Sequence, residues 1–223
     1  CFAVHLDANH RSKEALSVYE RALEIVPNNP MVWTGLANAQ RSMGEFDLAR
    51  ESCLAALKFD ANYIPAINNY GALCVSVKDH GAAIEYFHRS LALNPRQSQT
   101  WYNLGIEFQR QKKFDNAIEA LMRAHEIEPD SAEILKTIGH THLQRDDAES
   151  AIKMFGKALE ISPNDAKLSF MLACGHIQNG DPQEARSICG RFLDRHPGDT
   201  TTISCLALMA AEHGPQEDDE RYN

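Results

Sequence analysis

Every 34 residues this chain returns to the same kinds of side chain, which ties it to a tandem array of one structural unit. Only small residues occupy the column Ala3, Ala37, Gly71, Gly105, Gly139, Ala173 and Ala207. Immediately before it run the large residues Phe2, Leu36, Tyr70, Leu104, Ile138, Leu172 and Leu206. A second small column reads Ala15, Ala49, Ala83, Ala117, Ala151 and Ala185, and a third reads Ala22, Ala56, Ser90, Ala124, Ala158 and then Phe192. Small beside large is what two antiparallel helices need if they are to cross closely. The repeating unit is therefore a helical hairpin.

Within a unit the apolar residues recur at three and four, as in Trp101, Leu104, Gly105 and Phe108, followed by Phe114, Ala117, Ile118, Leu121 and Ala124. Polar or flexible breakers such as Met43-Gly44-Glu45 and Asn179-Gly180-Asp181-Pro182 separate the two helices. Asp181 before Pro182 supplies N-cap and N1 chemistry. Prolines at 27, 95, 129, 163 and 197, with Ala61 in the same column, punctuate the ends of the units.

This ordered set of residues resembles the tetratricopeptide repeat. It is most complete at 98–131, with Trp101, Leu104, Gly105, Phe108, Phe114, Ala117, Ala124 and Pro129. The resemblance implies an all-α, right-handed superhelical solenoid of helix-turn-helix repeats. Full repeats are expected at 30–63, 64–97, 98–131, 132–165 and 166–199. A truncated repeat at 1–29 precedes them, and a terminal helix at 200–213 and an acidic tail or linker at 214–223 follow. Ser169 in the Trp/Leu column and Phe192 in a small column depart from the pattern and weaken the packing expected of the fifth repeat.

The net charge of −9 disfavours non-specific binding to nucleic acid or anionic lipid. A third of that charge sits in the tail, where Glu217, Asp218, Asp219 and Glu220 face only Arg221. Trp33 and Trp101 share one core column, so packing accounts for them better than base stacking does. The most apolar stretch, Ile203 to Ala211, is about half the length of a membrane span. Six cysteines without a CxxC pair read as reduced thiols in a cytoplasmic compartment. His140, His142 and His176 have no close metal-ligand spacing, and no phosphate loop, GxSxG or paired-carboxylate motif is present. The expectation is a non-catalytic chain with no metal and no cofactor.

The resemblance further implies that the first helix of each repeat lines a concave groove. Exposed positions there include Asn38, Asn68, Asn69, Tyr102, Asn103, Ile106, Gln109, Arg110, Lys136 and His140, which we take as candidate partner-binding residues. Asn38, Asn69 and Asn103 are spaced 31 and 34 residues apart along one stripe. A row of amides offers donors and acceptors to an extended peptide backbone, although asparagine also bonds to neighbouring turns within a fold. Family members that bind the C-terminal carboxylates of chaperones use a basic clamp. The matching positions here are Thr34, Asn38, Asn69, Gln99 and Asn103, all neutral, which disfavours a chaperone C-terminal peptide. Arg96, Arg110, Lys112 and Lys113 form a small basic edge, either a solvated turn or a contact for an acidic partner.

The expected function is a protein-interaction scaffold that holds a peptide or helical segment of a partner protein in the groove. The alternative is the substrate-recognition arm of a larger enzyme, such as a glycosyltransferase or methyltransferase. The chain opens at Cys1 without an initiator methionine, as a fragment would. Self-association through uncapped end helices is a further expectation.

Overall fold

The apolar spacing calls for paired helices, and the computed structural model, which describes residues 12–200 together with 202, 203 and 206, contains them. Among the described residues all regular structure is helical: α1 (Ser12–Ile25), α2 (Pro30–Ser42), α3 (Phe46–Phe59), α4 (Ile64–Ser76), α5 (His80–Leu93), α6 (Ser98–Arg110), α7 (Phe114–Ile127), α8 (Ala132–Gln144), α9 (Ala148–Ile161), α10 (Ala166–Gln178) and α11 (Pro182–Arg195). The expectations for Cys1, Cys205, the start of the truncated repeat and the acidic tail lie outside the described residues. Of the terminal segment at 200–213, residues 200, 202, 203 and 206 are helical, and Asp199 caps that turn by accepting from the Thr202 N–H (2.8 Å) and hydroxyl (2.6 Å).

The chain divides after Glu107 into two compact units. In the first, α2 packs against α3 and α4 against α5, while α1 packs on α2, α3 on α4 and α2 on α4. In the second, α8 packs against α9 and α10 against α11, while α7 packs on α8 and α9 on α10.

One turn design closes the repeats. The residue at the bend has positive φ in every case: Gly44, Lys78, Lys112, Asp146 and Gly180. The next N–H then reaches back five residues, from Glu45 to Gln40 O (2.9 Å), Asp79 to Cys74 O (2.8 Å), Lys113 to Phe108 O (2.9 Å), Asp147 to His142 O (2.9 Å) and Asp181 to His176 O (2.8 Å). This is a Schellman closure, which satisfies carbonyls that the helix end would leave bare. Asp79, Asp147 and Asp181 also cap the next helix, each accepting from a backbone N–H three residues on.

The small column sets how closely each hairpin packs. A Cβ on Gly71 would lie 2.7 Å from the Phe87 ring, and one on Gly139 would lie 2.6 Å from Phe155. Both rings are buried. At Ala37 and Ala173 the residue sixteen positions on is instead a buried cysteine, Cys53 and Cys189, and at Gly105 it is the buried Leu121. The second residue is smaller where the first is larger: phenylalanine or leucine stands opposite glycine, and cysteine opposite alanine.

Candidate functional site

The exposed stripe of the first helices exists because their other faces are spent on packing. On α2 the buried residues are Val32, Thr34, Leu36, Ala37, Ala39 and Gln40, which leaves Asn38 half-buried at the edge. Its Oδ1 accepts from Arg41 (2.9 Å). Thr34 is buried, and its hydroxyl donates to Pro30 O (2.7 Å). The Thr34 carbonyl in turn accepts from Asn69 Nδ2 (3.2 Å), tying the two adjacent first helices together. Asn103 Oδ1 accepts from Gln99 (3.0 Å). Tyr102 and Ile106 lie half-buried on the same helix.

Asn68 is engaged differently. Its Nδ2 donates to Gln97 Oε1 (2.9 Å) and its Oδ1 accepts from the Thr100 hydroxyl (3.3 Å). Gln97 also donates to the carbonyls of Ser90 (3.0 Å) and Asn94 (2.7 Å), which makes it the hub of a polar network joining two repeats.

In the second unit Gln109 Nε2 donates to the Thr141 hydroxyl (3.1 Å) and lies 3.1 Å from His140 Nδ1. An amide N–H can only donate, so this ring nitrogen is the acceptor and the imidazole is neutral at that edge. Lys136 pairs with Glu133 along α8. Arg110 is exposed at the end of α6.

Two histidines of α8 are held below their ordinary pKa of 6.5. For His140 the causes are loss of water on packing and then the charge of Lys167. For His142 burial again dominates, opposed by Asp147, whose Oδ2 lies 3.1 Å from Nδ1. Asp147 itself loses some water by burial, but bonds from Arg145 and from Ser150 outweigh that and hold its carboxyl well below the usual range. The folded state therefore favours neutral imidazole, while the unfolded chain takes up protons below about pH 6.5. Stability from these rings is full above pH 6.5 and is lost as pH falls beneath it towards their depressed folded values. We expect the urea midpoint to fall between about pH 7.5 and about pH 5.5. His140→Gln combined with His142→Phe should flatten that slope; phenylalanine already stands in the His142 column at Phe108.

Among the described residues no group of three or more His, Cys, Asp or Glu side chains converges on one point. Cys53, Cys74 and Cys189 are buried thiols outside any disulfide, Cys174 is half-buried, and burial pushes the Cys53 thiol up to about 12. A thiol so poorly ionised is a packing residue. Among the described residues no helix is long and apolar enough to cross a membrane.

The periodicity did not reveal Glu107. It is 1% exposed, and His80 Nδ1 lies 2.5 Å from its Oε2. In the other full repeats its column reads Ala39, Leu73, Thr141 and Gly175, so the signal was a carboxylic acid among small and apolar residues.

Comparison with known proteins agrees with this architecture. One tetratricopeptide-repeat model matches residues 98–131, and a second matches 8–69 and 142–211. The human Cell division cycle protein 16 homolog is 28% identical over 117 residues, 48% of this chain and 19% of that protein. The Hsp70-Hsp90 organising protein of Plasmodium falciparum is 32% identical over 107 residues, 45% of this chain and 19% of that protein. The chain thus spans about a fifth of the length of these relatives. Among solved structures, PilW, a type IV pilus biogenesis factor, superposes with a TM-score of 0.78 at 22% identity, covering 92% of this chain and 95% of its own. At that identity the likeness speaks for the fold alone. With the repeat model matched over more than half of its length and all-helical hairpins throughout its described residues, the chain belongs to the tetratricopeptide-repeat family.

Proposed function

We propose that this chain is a non-catalytic scaffold that holds an extended or helical segment of a partner protein against the exposed stripe of its first helices. Tetratricopeptide-repeat proteins mediate protein–protein interactions in general. The observation that carries the finer reading is the state of two amides on adjacent repeats. Asn69 spends its Nδ2 on Thr34 O, and Asn103 spends its Oδ1 on Gln99. Among the described residues Asn69 Oδ1 and Asn103 Nδ2 have no partner. One acceptor and one donor on the same stripe match the N–H and C=O of a peptide backbone. Tyr102 and Ile106 supply half-buried apolar surface beside them, and in the second unit Gln109, Arg110, Lys136 and His140 are the corresponding candidates on its own first helices.

A chaperone C-terminal carboxylate is not the segment we propose, despite the likeness to a chaperone-organising protein. Thr34, Asn38, Asn69, Gln99 and Asn103 are all neutral, and Thr34 is turned inward to Pro30 O. A doubly charged terminus would lose water there without gaining a counter-ion.

The test is affinity capture with the intact protein, mapping of the bound segment, and titration of that segment into Asn69→Ala with Asn103→Ala. We expect affinity to fall by about tenfold, as for the loss of two backbone hydrogen bonds. The Tm should move by only a few degrees, because Asn69 gives up a single bond to Thr34 O. Unchanged affinity in a folded double variant would place the binding surface elsewhere.

A further inference from the structure

We infer that the fifth repeat carries a second binding site, on a different face from the groove, for a tryptophan side chain of a partner segment. In the other full repeats the position takes a large apolar side chain, Trp33, Ile67, Trp101 and Leu135, and in two of the four it is an indole. Trp33 and Trp101 stand in one column, and each indole N–H donates to the carbonyl of the proline six residues earlier, Pro27 O at 2.7 Å and Pro95 O at 2.8 Å. Trp33 also packs on the cluster of Ala15, Tyr19, Val32, Leu36 and Ala39. In the fifth repeat the column holds Ser169, six residues after Pro163. A serine hydroxyl is too short to span what an indole spans, and the Pro163 carbonyl accepts no bond among the described residues.

The space is present. A cavity of about 320 Å³ opens between α9 and α11 over α10, lined by Leu159, Pro163, Ser169, Leu172, Ile188 and Phe192. That volume lies at the small end of ligand sites, which run from about 300 to 1,000 Å³. Column by column, Leu159, Pro163 and Leu172 correspond to Leu23, Pro27 and Leu36, the surroundings of Trp33. Phe192 belongs to the same departure: in a column otherwise made of Ala and Ser, its buried ring adds an aromatic wall to the cavity. The rim is cationic on the α11 side. Arg191 shares its charge with Glu184 (2.9 Å) in a column that is also basic at Arg89, Arg123 and Lys157, whereas Arg195 has no partner among the described residues and stands where Phe59, Leu93, Ile127 and Ile161 stand earlier in the chain. Glu160 lies on the opposite rim. The geometry therefore fits an indole whose N–H meets Pro163 O while a neighbouring carboxylate meets Arg195.

Two probes test this with the intact chain, read from the amide signals of Ser169, Leu172 and Ile188. Free indole should produce saturable shifts there, and naphthalene, of similar shape but with no N–H, should bind several-fold more weakly. Ser169→Trp, which places the chain's own indole in the cavity, should raise the Tm and abolish the indole response. If that variant fails to fold, Ser169→Leu fills the space with the residue already present in the column at Leu135 and should weaken indole binding by about tenfold. Between the capped peptides Glu-Trp-Glu and Lys-Trp-Lys, the acidic one should bind several-fold more tightly, and Arg195→Ala should remove that preference. No saturable response to indole, or an equal response in either Ser169 variant, overturns the site. Indole binding with neither peptide bound, or the basic peptide preferred, overturns the proposed occupant. So do pocket signals that shift with protein concentration alone, which would assign the cavity to a second copy of the chain.

Discussion

Phe155→Ala is expected to cost about 3–5 kcal/mol of stability, which in a domain of this kind removes a large share of the total. Phe155 is fully buried, against Leu135, Ala151, Ala158 and Leu168. A cavity there cannot collapse easily, because two helices, α8 and α10, pack on α9 from either side. The matching change on the small partner works in the opposite sense. Gly139→Ala adds a carbon 2.6 Å from a ring that has nowhere to go. Overpacking costs about 1–3 kcal/mol, and the better helix propensity of alanine returns about 1 of that. The informative result is the coupling. Gly139→Ala in a Phe155→Cys background recreates the pair that the chain uses at Ala37 with Cys53 and at Ala173 with Cys189. We expect the alanine to be stabilising in that background, so the double-variant cycle should show a favourable interaction of about 1–2 kcal/mol. Additive losses in urea unfolding would mean that the two positions do not sense each other's volume.

The same volume rule shows what could be read without coordinates. Small and large columns at a fixed period identify hairpins because a packed repeat leaves one geometric solution for each column, so element type and order follow from the sequence. The bends were only partly readable. Gly44 and Gly180 advertise a positive φ and Asp146 is compatible with it, whereas Lys78 and Lys112 adopt the same conformation with a residue that ordinarily avoids it. There the Schellman bonds and the hairpin packing impose the backbone, and no residue preference records it.

Side-chain partners were less readable still. Asn68 and Asn69 are neighbours in sequence, yet about 100° apart around the helix, and that rotation sends one to Gln97 and Thr100 and the other to Thr34 O. Spacing alone put both on one list of candidate contacts. Departures from the pattern proved the better guide. Ser169 and Phe192, which break two columns, both line the same cavity. A repeat with a missing side chain leaves behind the shape of what it lacks.

His80→Ala is the second substitution expected to have a large effect, about 3 kcal/mol, because it strips a buried carboxylate of a short hydrogen bond. Glu107 is 1% exposed, and His80 Nδ1 lies 2.5 Å from its Oε2, while the His80 side chain is itself about a third exposed. Water therefore reaches one partner and not the other. Losing the imidazole removes a short hydrogen bond from a carboxyl group that the fold otherwise keeps dry. Glu107→Ala should cost less than that, since the exposed imidazole can be hydrated once its acceptor is gone. Glu107→Leu is the sharper comparison: the Leu73 position shows that the column accepts a buried leucine. If the pair serves to fix the fold rather than to strengthen it, Glu107→Leu with His80→Ala will be close to the parent in stability, whereas His80→Ala alone will be far below it. Urea unfolding of the three variants separates these outcomes. Equal losses in His80→Ala and in the double variant would show that the imidazole is valued for its packing and not for its bond to Glu107.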